Sequence, residues 1–126
     1  MPVERILLVD DERDFLEMLA QRLRLRGLEL FTAESGPEAL ECLERQEIDV
    51  VVLDVRMPDM DGIETLRRIK DSWPRVEVVM LTGHADLDSS LDGMRFGFFD
   101  YLTKPVDINQ LATVLQEVTQ KDLATL

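Results

Sequence analysis

A chain of 126 residues with 45% hydrophobic and 32% charged side chains is long enough to bury one real core and too apolar to stay disordered, so a single folded domain over residues 1–126 is expected. Its formal net charge of -12 excludes a surface built to bind nucleic acid, whose phosphates need clustered Lys and Arg. The longest apolar runs, Ile6–Val9 and Val50–Leu53, fall far short of the ~20 residues that cross a bilayer. Met1–Arg5 has no signal-peptide pattern, so the expectation is a cytoplasmic protein with no membrane partner. The lone Cys42 excludes an intrachain disulfide and a Cys-based zinc cluster, and its place in a helical pattern reads as a small buried hydrophobe.

Ile6–Val9 is an apolar run followed by Asp10-Asp11-Glu12, which suits a buried strand delivering acids to its C-terminal end. Leu16, Leu19 and Leu23 recur at helical spacing over 13–26, and Gly27 supplies a stop. Leu28–Ala33 reads as a second strand. Ser35-Gly36-Pro37-Glu38 then combines a helix N-cap, an early proline and a glutamate able to reach back, opening a helix to about Gln46. Val50–Asp54 is β-branched and apolar until it ends in a carboxylate, which predicts a central strand.

The turn-rich stretch 57–62 leads into a stripe at Ile63, Leu66, Ile69 and Trp73 that Pro74 ends. Val76–Leu81 predicts a fourth strand and Leu87, Leu91 and Met94 a fourth helix. Tyr101 and Leu102 fall in a short fifth strand, and Ile108, Leu111, Leu115 and Val118 mark a fifth helix. Strict strand–helix alternation implies an α/β domain of three layers, with parallel strands joined by right-handed crossovers. Ligands of such sheets gather at the carboxyl ends of the strands, where strand order reverses.

The residues just past those ends are Asp10 and Asp11, Asp54, Thr82 and Lys104. Three carboxylates in one cleft repel by about 1 kcal/mol per pair in water at a separation of about 4 Å, and by about 4 kcal/mol at an effective dielectric of about 20. A hard divalent cation relieves this, and Mg²⁺ fits because it accepts one or two carboxylates and keeps positions for an incoming phosphate. Lys104 adds compensation. A carboxylate beside Mg²⁺ and lysine is a nucleophile toward phosphorus, which selects Asp54. Thr82 can donate its hydroxyl to a phosphoryl oxygen, with Gly83 leaving room beside it. Lys104-Pro105 is open to either isomer. Taken singly, Asp10 or Asp11 reads as a helix N-cap and the residues from 54 to 60 as a loop.

Asp10-Asp11, the stretch from Asp54 through Met57-Pro58 to Asp61-Gly62, Thr82-Gly83 and Lys104-Pro105 together resemble the signatures of the receiver domains of bacterial two-component response regulators. The resemblance spans nearly the whole chain and implies a flavodoxin-like (βα)5 fold with a five-stranded parallel sheet in the order 2-1-3-4-5. It also implies that Asp54 is phosphorylated by a sensor histidine kinase or a phosphotransfer protein. Asp10, Asp11, Asp54 and the Arg56 carbonyl would hold Mg²⁺ or Mn²⁺, and Lys104 and Thr82 would assist the transfer. Thr82 and Tyr101 would form the switch that controls an output domain or partner, and a homodimer through the fourth helix, fifth strand and fifth helix is one available assembly. Arg56 and His84 stand where side chains can overhang the phosphoryl group. Phe98 replaces a residue that is small in many relatives.

Two other function classes compete. A Mg²⁺-dependent phosphohydrolase working through an aspartyl phosphate normally has a second acid two residues after its nucleophile, where Arg56 stands here. A receiver-like module that docks without phosphorylation would not need the acid set. A flavin-binding relative is disfavoured because Asp10-Asp11-Glu12 would repel the flavin phosphate after the first strand.

Overall fold

Alternating strand and helix patterns produce parallel strands only if each helix carries the chain back across the sheet, and this is what the chain does. The computed structural model describes residues 5–55, 62–82 and 100–124, with backbone only at 82 and 119–124. The strands are β1 (Arg5–Val9), β2 (Glu29–Ala33), β3 (Val50–Asp54), β4 (Glu77–Thr82) and β5 (Asp100–Thr103). The helices are α1 (Arg13–Arg24), α2 (Gly36–Arg45), α3 (Gly62–Ser72) and α4 (Ile108–Ala124). Helix α4 corresponds to the last helix predicted. The helix predicted around Leu87, Leu91 and Met94 lies outside the described residues, as do Arg56, Gly83, His84 and Phe98.

The sheet order is β2-β1-β3-β4-β5 with every neighbouring pair parallel, the flavodoxin-like order expected. Strand side chains alternate between two faces, and at the centre of the sheet both faces are covered, which is why β1, β3 and β4 carry continuous apolar runs rather than an alternating pattern. Ile6, Leu8, Val50, Val52, Val79 and Leu81 join one core with Leu16, Leu19 and Leu23 of α1 and Leu111, Leu115 and Val118 of α4. Leu7, Val9, Val51, Leu53, Val78 and Met80 join the other with Ala39 and Leu43 of α2 and Leu66 and Ile69 of α3. Each fully buried aliphatic side chain in these layers contributes about 1.5–3 kcal/mol relative to exposure.

Boundaries shift by one or two residues from the sequence expectation, each for a local reason. Helix α1 stops at Arg24 rather than Arg26 because the Arg26 and Gly27 amides tighten onto the Leu23 and Arg24 carbonyls, after which Gly27 turns at φ +86°. Strand β4 begins at Glu77 because the Val76 amide is spent on the Trp73 carbonyl, in the turn that closes α3. Ser35 caps α2 as expected, its hydroxyl accepting from the Glu38 amide at 3.2 Å. The Glu38 carboxylate reaches one residue further back than a capping box requires, accepting from the Glu34 amide. Cys42 is half-buried against the α2–α3 core rather than fully buried, and burial pushes its thiol pKa up.

Candidate functional site

Strands β1 and β3 are adjacent and in register from Ile6–Val50 to Val9–Leu53, so the residues after Val9 and Leu53 emerge side by side at one rim. Those residues are Asp10 and Asp54. They are 1% and 6% exposed respectively, unusual for carboxylates and a sign that something compensates them. The backbone fixes Asp10: its amide donates to the Ala33 carbonyl, extending the β1–β2 ladder by one residue. Its Oδ1 accepts from the Glu12 amide at 2.9 Å, which turns the chain into α1. The N-cap position of α1 is therefore Glu12, whose own side chain makes no capping bond, and neither Asp10 nor Asp11 occupies it.

Strand β5 lies at the far edge of the sheet, yet the chain following it returns toward the centre. Lys104, joined to Pro105 by a cis peptide, brings its Nζ to 2.6 Å from Asp10 Oδ2, 3.5 Å from Asp54 Oδ2 and 3.6 Å from Glu12 Oε1. The same ammonium stands 4.8 Å from the centroid of the Phe15 ring.

The two closest partners respond differently to this arrangement. Burial acts most strongly on Asp10 and lifts its pKa above the ordinary carboxylate value, although hydrogen bonds from Lys104 and the Glu12 amide pull the other way. Burial is also the largest single influence on Lys104 and favours its neutral form. The hydrogen bond to Asp10 and the charges of Asp54, Asp10 and Glu12 together outweigh it, so the lysine pKa rises. The contrast has a physical cause: one nearly sealed carboxylate loses more hydration than one ammonium returns, whereas the ammonium answers to three carboxylates and keeps 22% of its side chain exposed. The site as a whole carries excess negative charge.

That excess suits a hard cation. The carboxylate oxygens of Asp10, Asp11 and Glu12 lie within 4.8 Å of one another, and Asp11 and Glu12 are open to solvent. An all-oxygen donor set with one buried and two accessible carboxylates is of the kind that holds Mg²⁺. Asp54 is linked to this cluster through Lys104. The Arg56 carbonyl lies outside the described residues.

Helix α3 begins immediately beside Asp54. The Gly62 amide donates to the Val55 carbonyl at 2.7 Å, tying the start of α3 to the end of β3, and the Val55 amide donates to the Leu81 carbonyl across to β4. A Cβ on residue 62 would collide with the Asp54 carbonyl oxygen, with Val55 Cα and with the Val55 carbonyl oxygen at 2.8 Å, so only glycine allows α3 to start this close to Asp54. Thr82 ends β4, its backbone in register with Thr103, while Tyr101 is half-buried opposite Met80 and packs against the α2–α3 core.

Of the residues predicted from sequence, Asp10, Asp11, Asp54 and Lys104 thus gather at one rim, while Thr82 ends β4, the neighbour of β3, and Tyr101 stands on the edge strand β5. Glu12 and Phe15 carried no predicted role. Glu12 was visible only as the third acid of a run, and Phe15 stood outside the stripe of Leu16, Leu19 and Leu23. Neither reveals a lysine that follows β5.

Comparison with known proteins gives one consistent result. The family model described as the response regulator receiver domain matches residues 6–116. The regulatory protein AtoC of Escherichia coli is 36% identical over 118 residues, covering 94% of this chain and 26% of that protein. The DNA-binding transcriptional regulator NtrC of Escherichia coli is 38% identical over 111 residues, covering 88% of this chain and 24% of its own length. The chain therefore spans about a quarter of the curated relatives it matches. A response regulator receiver domain protein from Clostridium thermocellum superimposes with a TM-score of 0.93 at 35% identity, covering 98% of this chain and 100% of that one.

Proposed function

Because the chain belongs to the response regulator receiver family, we propose that it is the phosphoacceptor switch of a two-component relay, with Asp54 as the residue that takes the phosphoryl group. The observation that carries this reading is the Lys104 ammonium held between Asp10 and Asp54, at 2.6 and 3.5 Å, at the carboxyl ends of the central strands. One Asp54 carboxylate oxygen forms the new O–P bond. The P–N bond to a phosphohistidine of a sensor kinase or phosphotransfer protein breaks, and its electron pair returns to the imidazole. With acetyl phosphate the P–O bond breaks and acetate leaves.

Asp10, Asp11, Asp54 and the Arg56 carbonyl would hold the divalent ion, Mg²⁺ or Mn²⁺, with Glu12 adjoining. When bound, that ion supplies positive charge to the transferring oxygens. Lys104 pairs with the same oxygens and offsets the charge of the three neighbouring carboxylates. Thr82 donates its hydroxyl to the phosphoryl group once it is attached. Residues 1–126 act as one receiver unit that takes up a phosphoryl group rather than turning substrate over, and it works in the cytoplasm. Among the described residues no helix is long and apolar enough to cross a membrane.

Incubation with acetyl phosphate and Mg²⁺ followed by intact mass tests the assignment. The chain is expected to gain one phosphoryl group, and Asp54→Asn to gain none. An adduct retained in Asp54→Asn, or steady turnover of an aryl phosphate by the unmodified chain, would overturn it.

The output step is a shift between two arrangements that the phosphoryl group binds unequally. Moving such an equilibrium from roughly 1:99 to roughly 99:1 takes about 5.5 kcal/mol of differential interaction. Thr82 and Tyr101 carry the shift: they stand on adjacent strands, and the half-buried Tyr101 side chain packs against the core on that face of the sheet. The Tyr101 ring resonances are therefore expected to move when acetyl phosphate is added in the presence of Mg²⁺. Resonances that stay fixed while the adduct forms would eliminate Tyr101 from the relay.

A further inference from the structure

We propose that Phe15 is a positioning residue for Lys104, holding the ammonium at the acceptor carboxylate; the inference rests on the reading of Asp54 given above. Lys104 Nζ is 4.8 Å from the Phe15 ring centroid, within the ~6 Å over which an aromatic face attracts a cation. Its other partners here are carboxylates: Asp10, Asp54 and Glu12 at 2.6, 3.5 and 3.6 Å. The chemistry of the anchor matters because the group that must arrive is itself an anion. A fourth carboxylate would grip the lysine but repel a phosphoryl dianion, and a carbonyl or hydroxyl would take up one of the three N–H donors. A ring face does neither. It attracts the charge through its quadrupole and leaves the donors to the carboxylates and to the phosphoryl oxygens.

The ring is also well backed. Phe15 stands in the first turn of α1 and packs, half-buried, against the core that contains Leu16, Leu19 and Leu111. Lys104 arrives from the opposite end of the chain on a flexible four-carbon stem with several rotatable bonds. The core-backed Phe15 ring and Asp10 both contact the ammonium at the end of that stem, so that it does not have to be recruited from solvent when phosphate enters.

The test replaces Phe15 in the full chain with phenylalanines of increasing ring fluorination, which drain the quadrupole with little change in volume, and adds Phe15→Leu and Phe15→Trp. The rate of adduct formation with acetyl phosphate and Mg²⁺ is expected to fall stepwise with fluorination. The total loss should be roughly three- to ten-fold, the range open to a partly desolvated cation–π contact. Phe15→Leu should show a similar loss and Phe15→Trp none. A flat series, or Phe15→Leu reacting at the unmodified rate, would overturn the proposal; because fluorination spares the packing, the series stays decisive even where Phe15→Leu fails to fold. A second readout needs no phosphorylation. The Lys104 methylene protons next to Nζ should be displaced upfield by the ring current and return toward ordinary values in Phe15→Leu. If the unmodified chain forms no adduct at all, the phosphoacceptor reading fails by itself. The methylene shift then decides the Phe15 contact alone, with an unmoved shift counting against it.

Discussion

Asp10 shows at the scale of one residue that this site is arranged against the stability of its own fold. Its pKa is raised above 3.8 because burial outweighs the help from Lys104 and the Glu12 amide. The folded chain therefore holds a proton at Asp10 more tightly than the unfolded chain does. Stability from this group is present below the unfolded value and is lost as pH rises through the higher folded value, so at neutral pH the charged form is a burden. In metal-free buffer Asp10→Asn is expected to melt at a higher temperature than the unmodified chain at pH 7. The difference should shrink as pH falls through the raised Asp10 pKa, where both side chains are neutral. Equal melting temperatures at pH 7, or a gap that widens toward acid, would contradict this account of Asp10. Lys104 has linkage of the same sign in a far more alkaline window. Its pKa is raised above 10.5, so the stability it contributes is complete below that value and disappears only as pH climbs through its folded pKa.

Helix α3 shows at the scale of one element how closely backbone placement is tied to Asp54. Gly62→Ala puts a methyl group into the Asp54 and Val55 backbone, where no flexible side chain can yield. The expected cost is about 1–3 kcal/mol, read as a lower urea midpoint with an unchanged slope. Loss of adduct formation at temperatures where the variant is still folded should accompany it, because the helix start and Asp54 move together. An unchanged midpoint would show that α3 shifts away freely.

Most elements were legible in the sequence because their signals are local. The runs Ile6–Val9 and Val50–Leu53 read as buried strands since both sheet faces are covered, and Ser35 announced α2 through its own hydroxyl. The ends were less legible, since the stop of α1 depends on which carbonyls the Arg26 and Gly27 amides choose. The strain that a side chain at residue 62 would create was invisible, because it depends on how closely α3 approaches β3 in three dimensions.

Across the whole molecule, the acids were legible as a site because a parallel sheet delivers every strand's carboxyl end to the same rim, so Asp10 and Asp54 needed only the register of β1 and β3 to meet. The surroundings of Lys104 were not. Phe15 and Glu12 become its neighbours only after β4 and β5 have been added to the sheet and the chain has come back from its edge, and no spacing within α1 records that. Asp10 and Lys104 are 94 residues apart, a separation with a consequence for synthesis. A nascent chain leaving the ribosome presents Asp10, Glu12 and Asp54 well before the Lys104 ammonium that pairs with them. The rim is therefore completed late, and a product truncated before residue 104 would carry these acids without their lysine.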